Sequence, residues 1–332
     1  MGTASRSLLA VFLFGTVACD RTPTPEWGGK DPDRSQTPGH AAVATEPQPA
    51  REQVAPVRRQ DVRFIAYNVK NWLVTNRYEN GRTLESKPKP ADEKAAVISI
   101  LARHSPDIVG LCEIGTAGDL AEIQQLLKEG GVDLPHSHFT GGADPVRHLG
   151  FLSRFPISAT GKAEKTEYQL QNKLYFWNRG VLDVTVDIHG RNFHFLGCHL
   201  KSKREVEEGD EEQMRRAEAL LLRQHVDSIF AKNPDERLIV YGDFNDSRSS
   251  VTGKNITGSY NDPGYLTAIP AEDSVGTRWT HHWALHDVYS RIDFIAVSKS
   301  LKTGIDFAKA RVLDDPEWAK ASDHRAVLAV FR

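Results

Sequence analysis

The stretch Leu238 to Asn245, LIVYGDFN, delivers a carboxylate and a carboxamide from the end of an apolar run. Leu238, Ile239, Val240 and Tyr241 predict a short buried strand, since an apolar β-branched run bounded by charge and glycine fits a covered strand. Asp243 and Asn245, two residues apart, then share a face. Burying a lone charge there is costly. The pair therefore implies either a ligand or, more plainly, a strand end capped by an Asx turn.

Seven further polar residues close apolar runs in the same way. They are Asn68 after RFIAY, Glu113 after DIVGLC, Arg179 before GVLDV, His199 after FHFLGC, Asp293 before FIAV, and Asp323 and His324 before RAVLAV. Singly, each has a structural account as a turn former or a satisfied core histidine. Together they would be an expensive pattern for a core with no ligand to satisfy them. Oxygen donors from Asn68, Glu113 and Asp323 suit a hard cation such as Mg²⁺ or Mn²⁺, with Ca²⁺ also admissible, far better than zinc, which favours His and Cys. Arg179 and Lys201 would hold phosphate oxygens by charge-assisted bonds. Asp243 would orient or deprotonate a water, and His324, oriented by Asp293, would act with His199 on the phosphate or its leaving group.

These residues must be placed by strands. Arg63–Val69, Asp107–Glu113, a strand within His148–Ile157, Arg291–Val297 and a strand within Ala321–Phe331 read as further strands. Val181–Ile188 and Arg191–Leu200 form a hairpin around the His-Gly pair at 189 and 190. Helices are predicted over Ala91–His104, where Ala95, Val97, Ile98 and Leu101 recur at helical spacing, and over Ala117–Glu129, closed by Gly130 and Gly131. A longer helix is predicted over Glu205–Ala231, with acidic residues favourable to its amino-terminal dipole. Hairpins with occasional crossover helices exclude a regular parallel sheet and imply mixed sheets with covered outer faces.

The segments YNVKN, LCEIG, NRGVL, CHLKSK, VYGDFND, SRIDFI and SDHR occur in an order and spacing that resembles the endonuclease/exonuclease/phosphatase superfamily, the fold of deoxyribonuclease I, over about residues 60–332. The resemblance implies an α+β, four-layer αββα sandwich of two packed mixed sheets flanked by helices, and divalent-metal hydrolysis of phosphoester bonds. It carries Asn68 and Glu113 onto metal positions and Asp323 onto a metal-linked carboxylate. Asp243 and Asn245 fall on the water-activating pair, and His324 on the phosphate-contacting histidine, with Asp293 its orienting carboxylate. His199 is the type found in deoxyribonuclease I, sphingomyelinases, inositol phosphatases and deadenylases, where abasic-site endonucleases tend to carry tyrosine. Cys112 departs from the glutamine many relatives place before the metal glutamate. No convincing carboxylate partner for His199 is legible, and Glu167 is only a candidate.

The amino terminus points to export. Arg6 precedes the apolar run Leu8–Phe14, which is too short to span a bilayer, and small residues lead to Cys19. That segment resembles a bacterial lipoprotein signal, which would tether the chain to an outer or inner membrane through a lipidated Cys19; plain secretion by cleavage after Ala18 is the alternative. Residues 20–59, rich in Pro, Gly, Thr and Gln, read as a disordered linker. Hydrophobic residues at 39% and charged residues at 26% describe an ordinary globular domain. Seven of the 42 basic and six of the 44 acidic residues lie before residue 60, so the remainder carries a formal charge of −3. That lacks the basic surplus of a tight, sequence-independent nucleic-acid binder. Cys112 and Cys198 read as small buried apolar residues. The expected function is an exported metal-dependent phosphodiesterase or nuclease acting on nucleic acid or another phosphoester. A phosphatase or phospholipase-type hydrolase and a non-catalytic surface lipoprotein are the alternatives. No protein partner is implied, and a monomer is expected.

Overall fold

The computed structural model describes residues 61–79 and 81–332. The leader, the linker and Cys19 lie outside the described residues. In chain order the first half forms β1 (Val62–Trp72), β2 (Thr75–Glu79), β3 (Arg82–Lys87), α1 (Ala91–His104), β4 (Ile108–Ile114), α2 (Ala117–Glu129), β5 (His136–Thr140) and β6 (His148–Ser153). The middle adds β7 (Ile157–Thr160), β8 (Glu167–Leu170), β9 (Lys173–Phe176), β10 (Val181–Ile188), β11 (Arg191–His199), α3 (Glu211–Lys232), β12 (Leu238–Asp243) and α4 (Val251–Thr257). The last part holds β13 (Leu266–Ala268), β14 (His281–Trp283), β15 (Val288–Ser290), β16 (Asp293–Ser298), α5 (Lys299–Lys302), β17 (Arg311–Val312), α6 (Trp318–Ala321) and β18 (Val327–Phe331).

Two six-stranded mixed sheets run in the orders β17-β18-β1-β4-β6-β5 and β13-β16-β12-β11-β10-β7. Period-2 alternation builds the layers. On β1, Phe64 and Ala66 enter the core between the sheets, whereas Ile65, Tyr67 and Val69 face α1 and α2 with Val97, Ile100 and Ile123. On β12, Ile239 and Tyr241 face inward, while Leu238 and Val240 pack with Leu222 and Val226 of α3. The result is the expected four-layer αββα sandwich. Each large apolar side chain covered in this way contributes about 1.5–3 kcal/mol.

Tyr241 shows how closely the sheets meet. A Cβ on Gly110 would lie 2.1 Å from its ring, and one on Gly197 would lie 2.6 Å from its hydroxyl oxygen. Two glycines thus make the slot that one ring fills, and overpacking either would cost roughly 1–3 kcal/mol. Cys112 and Cys198 are both free and buried, as small core residues.

The two parallel pairs position the site. β1 runs parallel to β4, and β11 parallel to β12. Their carboxyl ends therefore open at the same edge of each sheet, where β16, antiparallel to β12, begins. Helix α3 starts at Glu211, later than expected. Asp210 accepts from the Gln213 N–H as its cap, and Val206 and Gly209 form a tight bridge instead of a first helical turn. Three hairpins, β2–β3, β8–β9 and β14–β15, stand outside both sheets.

Candidate active site

Asp243 lies in a cross-strand row: the backbone register sets His199 opposite Asp243, and Asp243 opposite Asp293. Gly242 before it has φ 130°, and a Cβ there would sit 1.9 Å from the Cys198 carbonyl oxygen. Only glycine fits that approach. The strand end then turns through Asn245 (φ 51°), whose N–H donates to Asp243 Oδ1 at 2.8 Å and whose Nδ2 donates to the Leu200 carbonyl at 2.9 Å.

Asp243 Oδ2 is the meeting point. Asn68 Nδ2 donates to it at 3.1 Å, with His199 Nε2 at 3.6 Å and His324 Nε2 at 3.7 Å. Asn68 Nδ2 also lies 3.3 Å from Glu113 Oε1. His324 Nδ1 is 2.8 Å from Asp293 Oδ2, and Asp293 takes its place through an N–H bond to Thr280 Oγ1. Ser322 Oγ donates to the Asn68 carbonyl and accepts from the His324 N–H, so the SDH turn is stitched onto β1. Thr280 and Ser322 carried no sequence signal beyond their neighbourhood, because hydroxyls that brace a turn look like any other turn residue.

The electrostatics divide the two histidines. Burial disfavours charge on His324, yet Asp293 and Asp243 overcome it and raise its pKa to about 10, making it a cation. Burial, with the positive Arg179 and His324 nearby, pushes His199 well below its usual value, so it stays neutral. Burial and the neighbouring Asp293 raise Asp243 to about 7, opposed by His324. His199 Nδ1 is buried with no hydrogen-bond partner, and Glu167 sits exposed on β8, so Asp243 is the carboxylate that faces His199.

The remaining expected residues divide. Arg179 Nε lies 3.4 Å from Asp144 Oδ2 without hydrogen-bond geometry, and its Nε and Nη1 are buried with no hydrogen-bond partner. Lys201 Nζ is taken up by the carbonyls of Ser202 and Arg204, at 3.4 and 3.2 Å. Asp323 lies on the rim, 36% exposed, with Lys70 Nζ at 3.8 Å. Trp279 packs on Arg325, Trp318 and Tyr289.

The donor chemistry fits a divalent cation. Asp243, Asp293 and His324 bring ligand atoms within 4.8 Å of one another. Their neighbour Glu113 adds hard oxygen donors, while Asn68 turns Nδ2 toward Asp243 and Glu113 and keeps Oδ1 on the Lys70 N–H. Since His324 Nδ1 is already engaged by Asp293, the oxygens are the better ligands. Burial first, and then Asp293, raise Asp243 to about 7, and a cation bound beside it would favour the charged carboxylate.

The backbone around these donors is strained. Lys70 (φ 47°), Asn71 (φ 53°) and Glu113 (φ 69°) all lie in the left-handed region, at a cost of about 1–3 kcal/mol each, and such residues cluster where a site must be shaped. Their turn puts the Lys70 N–H on Asn68 Oδ1 at 3.1 Å and the Asn71 N–H on Glu113 Oε2 at 2.8 Å.

Solved structures share this fold. Truncated TDP2 of Caenorhabditis elegans superposes with TM-score 0.55 at 18% identity, covering 82% of this chain and 98% of that one. Sphingomyelinase C of Streptomyces griseocarneus gives 0.56 at 16%, covering 82% and 100%. The human Nocturnin catalytic domain with bound sulfate gives 0.56 at 18%, covering 82% and 94%. No curated protein matches significantly by sequence. A sequence profile of the endonuclease/exonuclease/phosphatase family does match, over residues 56–304. The chain belongs to the endonuclease/exonuclease/phosphatase family and is a metal-dependent phosphoester hydrolase.

Proposed function

We propose that this protein is an exported phosphodiesterase, with a nuclease as its leading form, and that Mg²⁺ or Mn²⁺ serves it. The observation that carries phosphate binding in this reading is Arg179. It is the buried guanidinium at the site with unpartnered nitrogens, whereas the Lys201 ammonium is held by its own loop and His199 is neutral. The ion pair of Arg179 with Asp144 is 3.4 Å long, and the buried nitrogens without a hydrogen-bond partner suit a phosphate oxygen beside the cationic His324. Export is supported by the leader and by Cys19, through which a lipid anchor would hold the domain at a membrane.

In this reading Asn68 and Glu113, with Asp323 at the rim, would hold the divalent ion. When bound, the ion polarises a phosphoryl oxygen and offsets charge developing there. Asp243 accepts the proton of the attacking water, and Asn245 fixes its carboxylate through Oδ1. His324, kept cationic by Asp293, donates from Nε2 to a phosphate oxygen. Arg179 grips a second oxygen. His199, whose Nε2 stands 3.6 Å from Asp243 Oδ2, would act on the leaving oxygen.

A second reading, hydrolysis of a lipid head group, is favoured by the β14–β15 hairpin beside His324. Its Trp283, Leu285, Val288 and Tyr289 are all exposed. Mg²⁺-dependent hydrolysis of plasmid DNA, RNA and bis-p-nitrophenyl phosphate, set beside p-nitrophenyl phosphate, inositol phosphates and phospholipid, tests both. Cleavage of nucleic acid or simple diester that disappears in Asp243→Ala supports the first reading. Turnover confined to monoesters or lipid would overturn it.

A further inference from the structure

Lys89 precedes α1 in a polar tract, KPKPADE, that carries no motif. Its side chain is nevertheless fully covered, and Nζ donates to the Lys70 carbonyl at 3.2 Å and to Glu93 Oε2 at 3.1 Å. Lys70 is the first of the two left-handed residues whose N–H groups hold Asn68 Oδ1 and Glu113 Oε2. The same turn is held from two other directions. Arg77 Nη2 on β2 donates to the carbonyls of Asn71 and Leu73 at 2.9 and 3.3 Å, and Arg147 Nε donates to Asn71 Oδ1 at 2.9 Å.

We propose that Lys89, with Arg77 and Arg147, is a positioning residue for the cation: the three grip the left-handed turn at Lys70 and Asn71, whose N–H groups hold the Asn68 and Glu113 side chains, and so set how those two side chains face the site. This rests on the reading that Asn68 and Glu113 belong to the ion's site. The plain alternative is that Lys89 only starts α1 through its i,i+4 pair with Glu93. That pair leaves the Lys70 carbonyl unexplained. A fully covered ammonium with a carbonyl acceptor gives the turn one arrangement, because water cannot replace either partner. Charge alone predicts the opposite effect on the ion, since removing a nearby ammonium should favour a cation. The sign of the change therefore separates positioning from electrostatics.

The test uses the full chain and Mn²⁺ binding followed by electron paramagnetic resonance without substrate, beside bis-p-nitrophenyl phosphate kinetics. Lys89→Met removes the donor, and the double variant Lys89→Met/Glu93→Gln removes it while keeping the pair neutral. Both should bind Mn²⁺ about tenfold more weakly, with kcat at saturating metal and substrate KM within about twofold of wild type, since only the ligand aim has changed. Arg77→Ala, at a partly exposed position, should weaken Mn²⁺ in the same direction and decides the matter if the Lys89 variants do not fold. Unchanged Mn²⁺ affinity in these variants overturns the inference, as does a loss of kcat, KM and Tm together. A wild-type chain that binds no Mn²⁺ overturns the underlying site reading as well.

Discussion

Asn68 and Asp243 are 175 residues apart and belong to different sheets, yet Asn68 Nδ2 donates to Asp243 Oδ2 at 3.1 Å. The bond ties the carboxyl end of β1 to that of β12 across the sandwich. It is possible because both parallel pairs open at one edge, and because Gly242 lets β12 turn within reach of Cys198. If Asp243 takes the water's proton, Asp243→Asn should lower kcat by at least ~10²-fold. Its stability should fall by no more than one exchanged hydrogen bond costs, about 1 kcal/mol. Steady-state kinetics beside a thermal melt decide it, and near-normal turnover in a well-folded variant would sink the assignment.

Removing the divalent ion should stop the reaction. EDTA should abolish turnover of bis-p-nitrophenyl phosphate, and added Mg²⁺ or Mn²⁺ should restore it. The pH profile adds a sharper consequence. Burial and Asp293 hold Asp243 near 7 without an ion, so the base is protonated below that pH. A bound cation favours the carboxylate and lowers its pKa. The acid limb of kcat/KM should therefore move to lower pH as Mg²⁺ is raised. A limb that stays put across the titration would detach the ion from Asp243.

Arg179 should act on substrate affinity more than on chemistry. Arg179→Met removes charge-assisted bonds worth about 1.5–3 kcal/mol, which predicts a rise of roughly 10- to 100-fold in KM for a diester. Arg179→Lys should restore little, since a point charge does not reproduce the planar fork. Competitive inhibition by sulfate should weaken in parallel. An unchanged KM in Arg179→Met would remove this residue from the phosphate site.

Much of this arrangement is legible in the chain. Helices Ala91–His104 and Ala117–Glu129 have the bounds their periodicity and closing signals predict, and the His189–Gly190 tip turns with both residues at positive φ, 54° and 77°. GDFN could be read because glycine, carboxylate and carboxamide each have a backbone reason to be there. The β2–β3, β8–β9 and β14–β15 hairpins were not legible: each has polar or exposed residues on both faces, so no period-2 apolar signal marks it. The start of α3 was misplaced because EVEEGDEE suits a helix dipole, whereas the Asp210 cap and the Val206–Gly209 bridge set the boundary. Lys89 was invisible for another reason. Its partner is a backbone carbonyl that appears only once the turn after Asn68 has formed.

Away from the active edge, Asp183 on β10 should be a stability determinant with a defined pH signature. Its two oxygens each accept a 2.7 Å bond, from His194 Nε2 on β11 and His225 Nε2 on α3, so one carboxylate pins the helix to the sheet. Burial alone would raise its pKa, but the two histidines outweigh it and hold the carboxyl well below the usual range. A carboxylate depressed in the folded state contributes stability that is present above its unfolded pKa, about 4, and is lost as pH falls toward the folded value. Asp183→Asn leaves a buried cluster without its charge and should cost about 3 kcal/mol near neutrality. The gap from wild type should narrow as the pH drops below about 4. Specific activity of the folded variant should be unchanged. Thermal melts of both proteins from acid to neutral pH measure the gap, and one that is constant across that range would show that Asp183 carries no such linkage.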